Sequence, residues 1–306
     1  MSLMESPRTR SARVSSRQSY YDGMRAVLAT MHGKEKALQK VFALHLGMTL
    51  VVPSRLNTDR LGTFSGEVKR PYRMRKTAQK KVEMGMMETG CAIGLATEGS
   101  FGPDPLAPGV SIHTELVVFR DNNLGIEIAE SLKTHDTNHG SLACTGQDDI
   151  TPFLDEVGFP GSALAVKPEK RRWTNQWFSK AKPVKGIQNH AELQKAIRSC
   201  CRRSKTGRAV VETDMRAHVN PARMELIAKV GEKIASRLKQ HCPDCGLPGW
   251  GITLRKQGLK CGQCEFPTEE PVTEIWSCSS CHHTEEKPRR DGVRFADPAR
   301  CAFCNP

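Results

Sequence analysis

Eight of the twelve cysteines in this 306-residue chain fall in four C-x2-C pairs, a residue type and spacing suited to holding a metal ion. Cys242 and Cys245 are followed after fifteen residues by Cys261 and Cys264; Cys278 and Cys281 are followed after nineteen by Cys301 and Cys304. A two-residue gap lets both thiolates of a pair reach one ion, and four thiolates close a tetrahedral zinc site with no position left for a substrate. The expectation is two structural Zn2+ sites in a tandem zinc-ribbon module over residues 241–306. Spacing alone leaves the pairing open. Consecutive pairs would give two ribbons, a cross-brace would join the first pair to the third and the second to the fourth, and His282 or His283 offers a replacement ligand.

Elsewhere the chemistry-bearing residues are those of phosphate binding. The formal net charge of +13 is distributed in blocks: +7 over residues 55–81, −11 over 82–166, +11 over 167–208 and −1 over 241–306. An acidic middle between basic blocks would supply carboxylates for a divalent cation and cations for phosphate oxygens. The turn Thr30-Met31-His32-Gly33-Lys34 ends a short apolar run and precedes a helix, so backbone N–H groups and Lys34 could meet an anion there. It lacks the spacing of a Walker A loop or a dinucleotide fingerprint. The stretch CAIGLATEGSFGPDP, residues 91–105, reads as a strand breaking into a glycine-rich turn that carries Glu98 and Asp104. A third cluster, ETDMRAHVNPARM, places Glu212, Asp214 and Arg216 after another strand. Its Asn220-Pro221 opens a helix.

The elements that would position these groups alternate strand and helix, which predicts an α/β fold with a mixed sheet and flanking helices. RAVLAT and MTLVVP frame a helix carrying Leu38, Val41, Phe42 and His45. A basic helix after Pro71 brings Arg73 and Lys76. HTELVVFRD and NLGIEIAES read as a hairpin, with Glu115 and Glu127 expected to face solvent. The loop THDTNHG carries two histidines but no metal-ligand spacing. A short helix near 147–157, a strand at 163–166, a helix at 190–203 with Cys200 and Cys201 in packing roles, a strand at 209–211 and a helix to Lys239 complete the body. The predicted domains are a basic disordered tail over 1–22, an α/β domain over 23–240 and the cysteine module.

The apolar fraction of 38% is enough for a core, no run of eighteen apolar residues occurs, and the first twenty residues lack the apolar centre of a signal peptide. A cytoplasmic protein with no membrane contact is expected, its cysteines free or metal-bound rather than disulfide-linked.

The motifs HGKE at 32–35, ATEGSFGP at 96–103, ETDMRAHVNPARM at 212–224 and CPDCGLPGWG at 242–251 together resemble an uncharacterised bacterial family, a domain of unknown function, over most of residues 25–265. That resemblance carries an architecture and no activity, and the last two cysteine pairs look like additions to it. More distantly, VLATMHGKEKAL at 27–38 and the basic helix leading into CAIGLATEGSFGPDPLAPGV are similar to the inosine triphosphate pyrophosphatase family. The similarity implies Thr30 and Lys34 on phosphate and Glu98 as an acid for Mg2+ and water activation. It departs in having Thr97-Glu98 where paired aspartates are usual and in lacking the Ser-His-Arg base-recognition motif.

Taken together, the expectation is a metal-dependent phosphohydrolase, similar to a nucleoside triphosphate pyrophosphohydrolase, acting on a nucleotide or related phosphate ester. Its catalytic residues would be Glu98, Lys34, Glu212, Asp214 and Arg216, with Thr30, Gly33, Arg73 and Lys76 binding substrate and Glu67 as a further Mg2+ ligand. The alternatives are a nucleic-acid-binding protein that uses the basic blocks with Trp173 and Trp177, or an adaptor whose zinc module recruits a partner.

Overall fold

The computed structural model describes residues 19–61, 72–104, 107–169 and 182–306. The body opens as the strand and helix spacing predicts. β1 (Arg25–Leu28), α1 (Glu35–Leu46) and β2 (Thr49–Val51) form a right-sized β-α-β unit whose strands pair in parallel. Gly47, at φ 68°, ends α1 in the left-handed conformation that only glycine adopts without cost. A 3-10 turn at Thr58–Leu61 precedes α2 (Met74–Thr89).

β3 (Ile93–Asp104), β4 (Ala107–Asp121) and β5 (Ile126–Thr134) complete a five-stranded mixed sheet in the order β2-β1-β3-β4-β5. β3 lies parallel to β1 and antiparallel to β4. Here the expected break at residues 97–102 does not occur. β3 runs through its glycines to Asp104, because every residue from Ile93 to Pro103 finds a partner on β4, from Asp121 back to Ser111.

A second, four-stranded antiparallel sheet follows in the order β6-β9-β7-β8: β6 (Ser141–Cys144), β7 (Leu164–Pro168), β8 (Val184–Ile187) and β9 (Ala209–Thr213). The helices α3 (Thr151–Glu156) and α4 (His190–Arg203) share its apolar core, into which Cys200 packs as expected. Asn189 caps α4 by accepting from the Glu192 N–H. α5 (Pro221–Leu238) starts the same way, on Asn220 and Pro221, and returns to the first sheet.

Both faces of the first sheet are covered. Leu28, Leu95, Val117 and Phe119 meet α1 and α5 through Leu38, Phe42, Ile227 and Ile234, whereas Val27, Ala96, Leu116 and Val118 meet α2 through Ala78, Val82 and Met86. The cysteine-rich segment adds a three-stranded antiparallel sheet of β10 (Gly251–Gln257), β11 (Pro271–Ser277) and β12 (Thr284–Pro288). It is fastened to the body where the buried Arg237 of α5 donates to the Gly249 carbonyl at 3.1 Å. A side chain at Gly249 would collide with Ile128 on β5. No described helix is long and apolar enough to cross a membrane.

Candidate functional site

The alternation of side chains along a strand decides which predicted residues meet. Thr97, Gly99 and Phe101 continue the row of Ile93 and Leu95 toward α1 and α5, and Glu98 continues the row of Ala96 toward α2. Lys34, the residue before α1, is buried and donates to the Thr97 hydroxyl at 2.6 Å and carbonyl at 3.1 Å. It thereby caps the edge of β3 beyond the point where β1 ends. Glu98 is also buried and pairs with Lys81 of α2 at 2.5 Å. Lys34 and Glu98 are thus neighbours in space that make their close contacts on opposite faces of the sheet.

The α1/α5 face carries a charged row that the sequence did not disclose. Glu115 stands opposite Gly99 and His113 opposite Phe101. Glu115, expected at the surface, is fully buried, because α5 covers this face and delivers Arg223 to it. Arg223 Nε donates to Glu115 Oε1 at 2.6 Å, its Nη1 donates to the Met215 carbonyl, and His113 Nε2 lies 3.2 Å from the same carboxylate oxygen. Gly99 is required for close approach: a Cβ there would sit 2.4 Å from Glu115 Oε1 and 2.6 Å from Arg223 Nη2. Glu127, by contrast, is half-buried and holds Arg120 at 2.5 Å.

These contacts set the protonation of the row. Burial would raise the Glu115 carboxyl, but Arg223, His113 and Lys34 overcome it and hold the group at about 2. Lys34 moves the other way. Burial first, then the Arg223 charge, bring its ammonium from 10.5 down to about 7. An amine so placed exchanges its proton near neutrality, in the range where general acid–base groups operate.

Above Lys34 the turn at 30–34 reaches the surface. Thr30 is buried and its hydroxyl accepts the His32 N–H at 3.2 Å, so it shapes the turn. Gly33 has φ 66° and abuts His218, whose ring stacks on His32 at 5.3 Å. Burial and the neighbouring Arg216 charge lower His218, with Lys36 adding to the effect. Sequence reasoning missed His218, Glu115 and Arg223. For Glu115 a signal existed, since the alternation in β4 shows apolar residues on both faces, as a strand covered on both sides must.

Of the remaining predicted residues, Asp214 and Arg216 border this surface, where both charges act on His218, and the others do not join it. Glu212 pairs with Lys167 across the second sheet at 2.5 Å. Asp214 takes Arg216 at 2.6 Å and the Gly186 N–H at 3.1 Å. Arg73 and Lys76 are exposed at the start of α2. Glu67, Trp173 and Trp177 lie outside the described residues. Glu98, Glu212 and Asp214 each have their own cation, and among the described residues the acids and histidines form no group of three with ligand atoms close enough to share one ion. They do not fit the expected Mg2+ cage.

The thiolates do fit a metal. Cys242, Cys245, Cys278 and Cys281 bring their ligand atoms within 4.8 Å of one another, and so do Cys261, Cys264, Cys301 and Cys304. Of the two pairings left open, the structure adopts the cross-brace. Both sets are complete without histidine; His283 instead stacks on Trp250 at 5.5 Å and meets Glu285 at 3.1 Å. In each of the first three pairs the residue after the second cysteine is left-handed: Gly246 at 72°, Glu265 at 58° and His282 at 62°. That conformation turns the backbone around the ion position, with the Gly246 and Glu265 N–H groups donating to the Cys242 and Cys261 carbonyls. The arrangement is compatible with two structural zinc sites.

No curated protein matches the chain. A family model described as a domain of unknown function, DUF6671, matches residues 81–306, and the chain belongs to that family. The match takes in all four cysteine pairs, so the last two are part of the family pattern and not additions. It includes Lys81, Glu98, Glu115 and Arg223, and leaves the turn with Lys34 outside.

Proposed function

We propose that this DUF6671 chain binds a phosphate-bearing small molecule, a nucleotide or related phosphate ester, where the turn at 30–36 faces residues 216–218, and that it hydrolyses that ester. The observation that carries the proposal is the buried Lys34, brought to about 7 beneath a surface formed by His32, His218, Lys36 and Arg216. The turn lies beyond the carboxyl end of β1, where open α/β sheets take their ligands, and at the start of α1, whose N–H groups favour an anion. An oxyanion seated there would be met by the exposed Lys36 and the half-buried Arg216, while Lys34 adjusts its protonation below it. No step is assigned to Mg2+, since Glu98, Glu212 and Asp214 are each engaged by a cation. Two zinc ions, each held by one cross-braced set, would fix the fold of the module and take no part in the reaction.

The test is a panel of standard and deaminated nucleotides, scored for saturable binding and for release of phosphate or pyrophosphate, with and without added divalent metal. Binding should raise the His218 pKa, read from its imidazole resonances, because a nearby anion favours the imidazolium. Lys34→Met should remove turnover. Binding without turnover would leave a phosphate-binding protein. RNA or DNA binding that weakens steeply with salt, with no nucleotide binding, would favour the nucleic-acid alternative instead.

A further inference from the structure

The junction between the body and the cysteine module contains a cleft of about 320 Å3, remote from the Lys34 turn along α5. Lys233 and Arg237 form its α5 wall and both pair with Glu130, at 3.0 and 2.8 Å. Arg255 of β10 and Arg290, just after β12, form the opposite wall and both pair with Glu274 of β11, at 3.3 and 3.2 Å. Two carboxylates shared among four basic side chains leave two positive charges in excess. Trp276 also lines the cleft; it is more than nine-tenths buried, and its indole N–H has no acceptor among the described residues. Arg290 lies over its ring, 5.1 Å from the centroid.

We propose that this cleft is a second anion site and that its ligand is a phosphate group, either free inorganic phosphate or pyrophosphate or the terminal phosphate of a small phosphorylated molecule. A doubly charged phosphate matches the excess of two, whereas a single carboxylate would neutralise half of it. Guanidinium groups on facing walls suit several oxygens of one tetrahedral anion, and an oxygen near Trp276 would supply the acceptor its N–H lacks. The cleft is small, and residues 241–306 carry a formal charge of −1. Those features favour one phosphate over an extended nucleic-acid backbone, which needs a row of cations. Because the walls belong to the body and to the module, bound phosphate would tie the two together.

The experiment uses the full chain with both four-cysteine sets zinc-loaded, titrated calorimetrically with inorganic phosphate, pyrophosphate, a nucleoside monophosphate and acetate at constant ionic strength. The Trp276 indole resonance is followed in parallel. Phosphates should bind and shift that resonance, and a Lys36→Gln/His218→Ala variant, altered at the proposed catalytic surface, should keep this site. Arg255→Gln/Arg290→Gln should weaken it at least tenfold. The two arginine side chains are 53% and 60% exposed, and zinc content verifies the fold. Lys233→Gln on the other wall should weaken it as well. Preference for the nucleoside monophosphate over inorganic phosphate would identify a ligand phosphate group, and the reverse preference the free ion. Acetate binding as tightly as phosphate, unchanged binding in both wall variants, or no shift at Trp276 would each overturn the proposal.

Discussion

The α/β body and the cysteine module are stabilised by opposite means. The body buries apolar side chains on both faces of its first sheet and inserts one charged row, in which Arg223 pairs with Glu115 and Lys34 donates to Thr97. The module has a buried cluster of four residues, Cys242, Trp250, Trp276 and Cys278, and its outer strands β10 and β12 are mostly exposed or half-buried. A segment this small buries little apolar surface, and its two four-thiolate sets are compatible with structural zinc, which would then carry much of its fold. The body carries its stability in its own packing. With zinc in both sets, one chain would combine a region whose folding depends on metal supply and a region held by its own apolar packing.

The largest test of that contrast is metal removal. Binding of structural zinc contributes on the order of 10–16 kcal/mol per site in small zinc domains. A strong chelator should therefore melt β10–β12 while the body keeps its cooperative thermal transition, separable by amide exchange. Loss of both regions together would show that the body also depends on the module. The next effect belongs to the body. Arg223→Met leaves Glu115 as a buried charge without its principal partner and should cost about 3–5 kcal/mol in denaturant unfolding. Glu115→Gln in the same chain should return a good part of it; equal loss in the single and double variants would mean that Arg223 acts through packing.

A smaller effect is a pH slope. Because the folded-state pKa of Lys34 is about 7 against 10.5 ordinarily, the unfolded chain binds more protons between those values. Folded stability should rise with pH from about 7 to 10.5, and Lys34→Met should flatten that rise. Glu115 works in the acid range: its folded value near 2 lies below the ordinary 4.5, so its contribution is present above 4.5 and lost as pH falls toward 2. The smallest expected change is in the module. His282→Gly relieves a left-handed conformation at φ 62° and should raise the stability of the zinc-loaded module by about 1 kcal/mol.

The two regions also differ in how plainly they were written in the sequence. Metal coordination imposes a fixed local spacing, so the four cysteine pairs could be read directly, and only their pairing, a matter of topology, could not. The β-α-β opening, the hairpin of β4 and β5 and the helix at 190–203 were legible because period and turn residues agree locally. The charged row was not. It depends on β3 continuing through Gly99 and Gly102, on β4 placing Glu115 beneath α5, and on an arginine in the first turn of that helix, long-range facts of which only the two-faced apolar pattern of β4 leaves a local trace. Glu98 was expected as an acid for Mg2+. Its partner is Lys81 from the helix before it, and the strand's alternation turns it away from the Thr97 row.

The cross-brace also bears on how metal reaches this chain. During synthesis Cys242, Cys245, Cys261 and Cys264 emerge first, and together they make a complete four-thiolate set of the wrong composition. A zinc ion captured there would have to exchange thiolates once Cys278 and Cys281 appear, and the second site would close only with Cys304. Loading would then be a sorting of ligands as well as a binding of ions, and zinc that exchanges rapidly would favour the correct product over zinc that is held tightly from the first encounter.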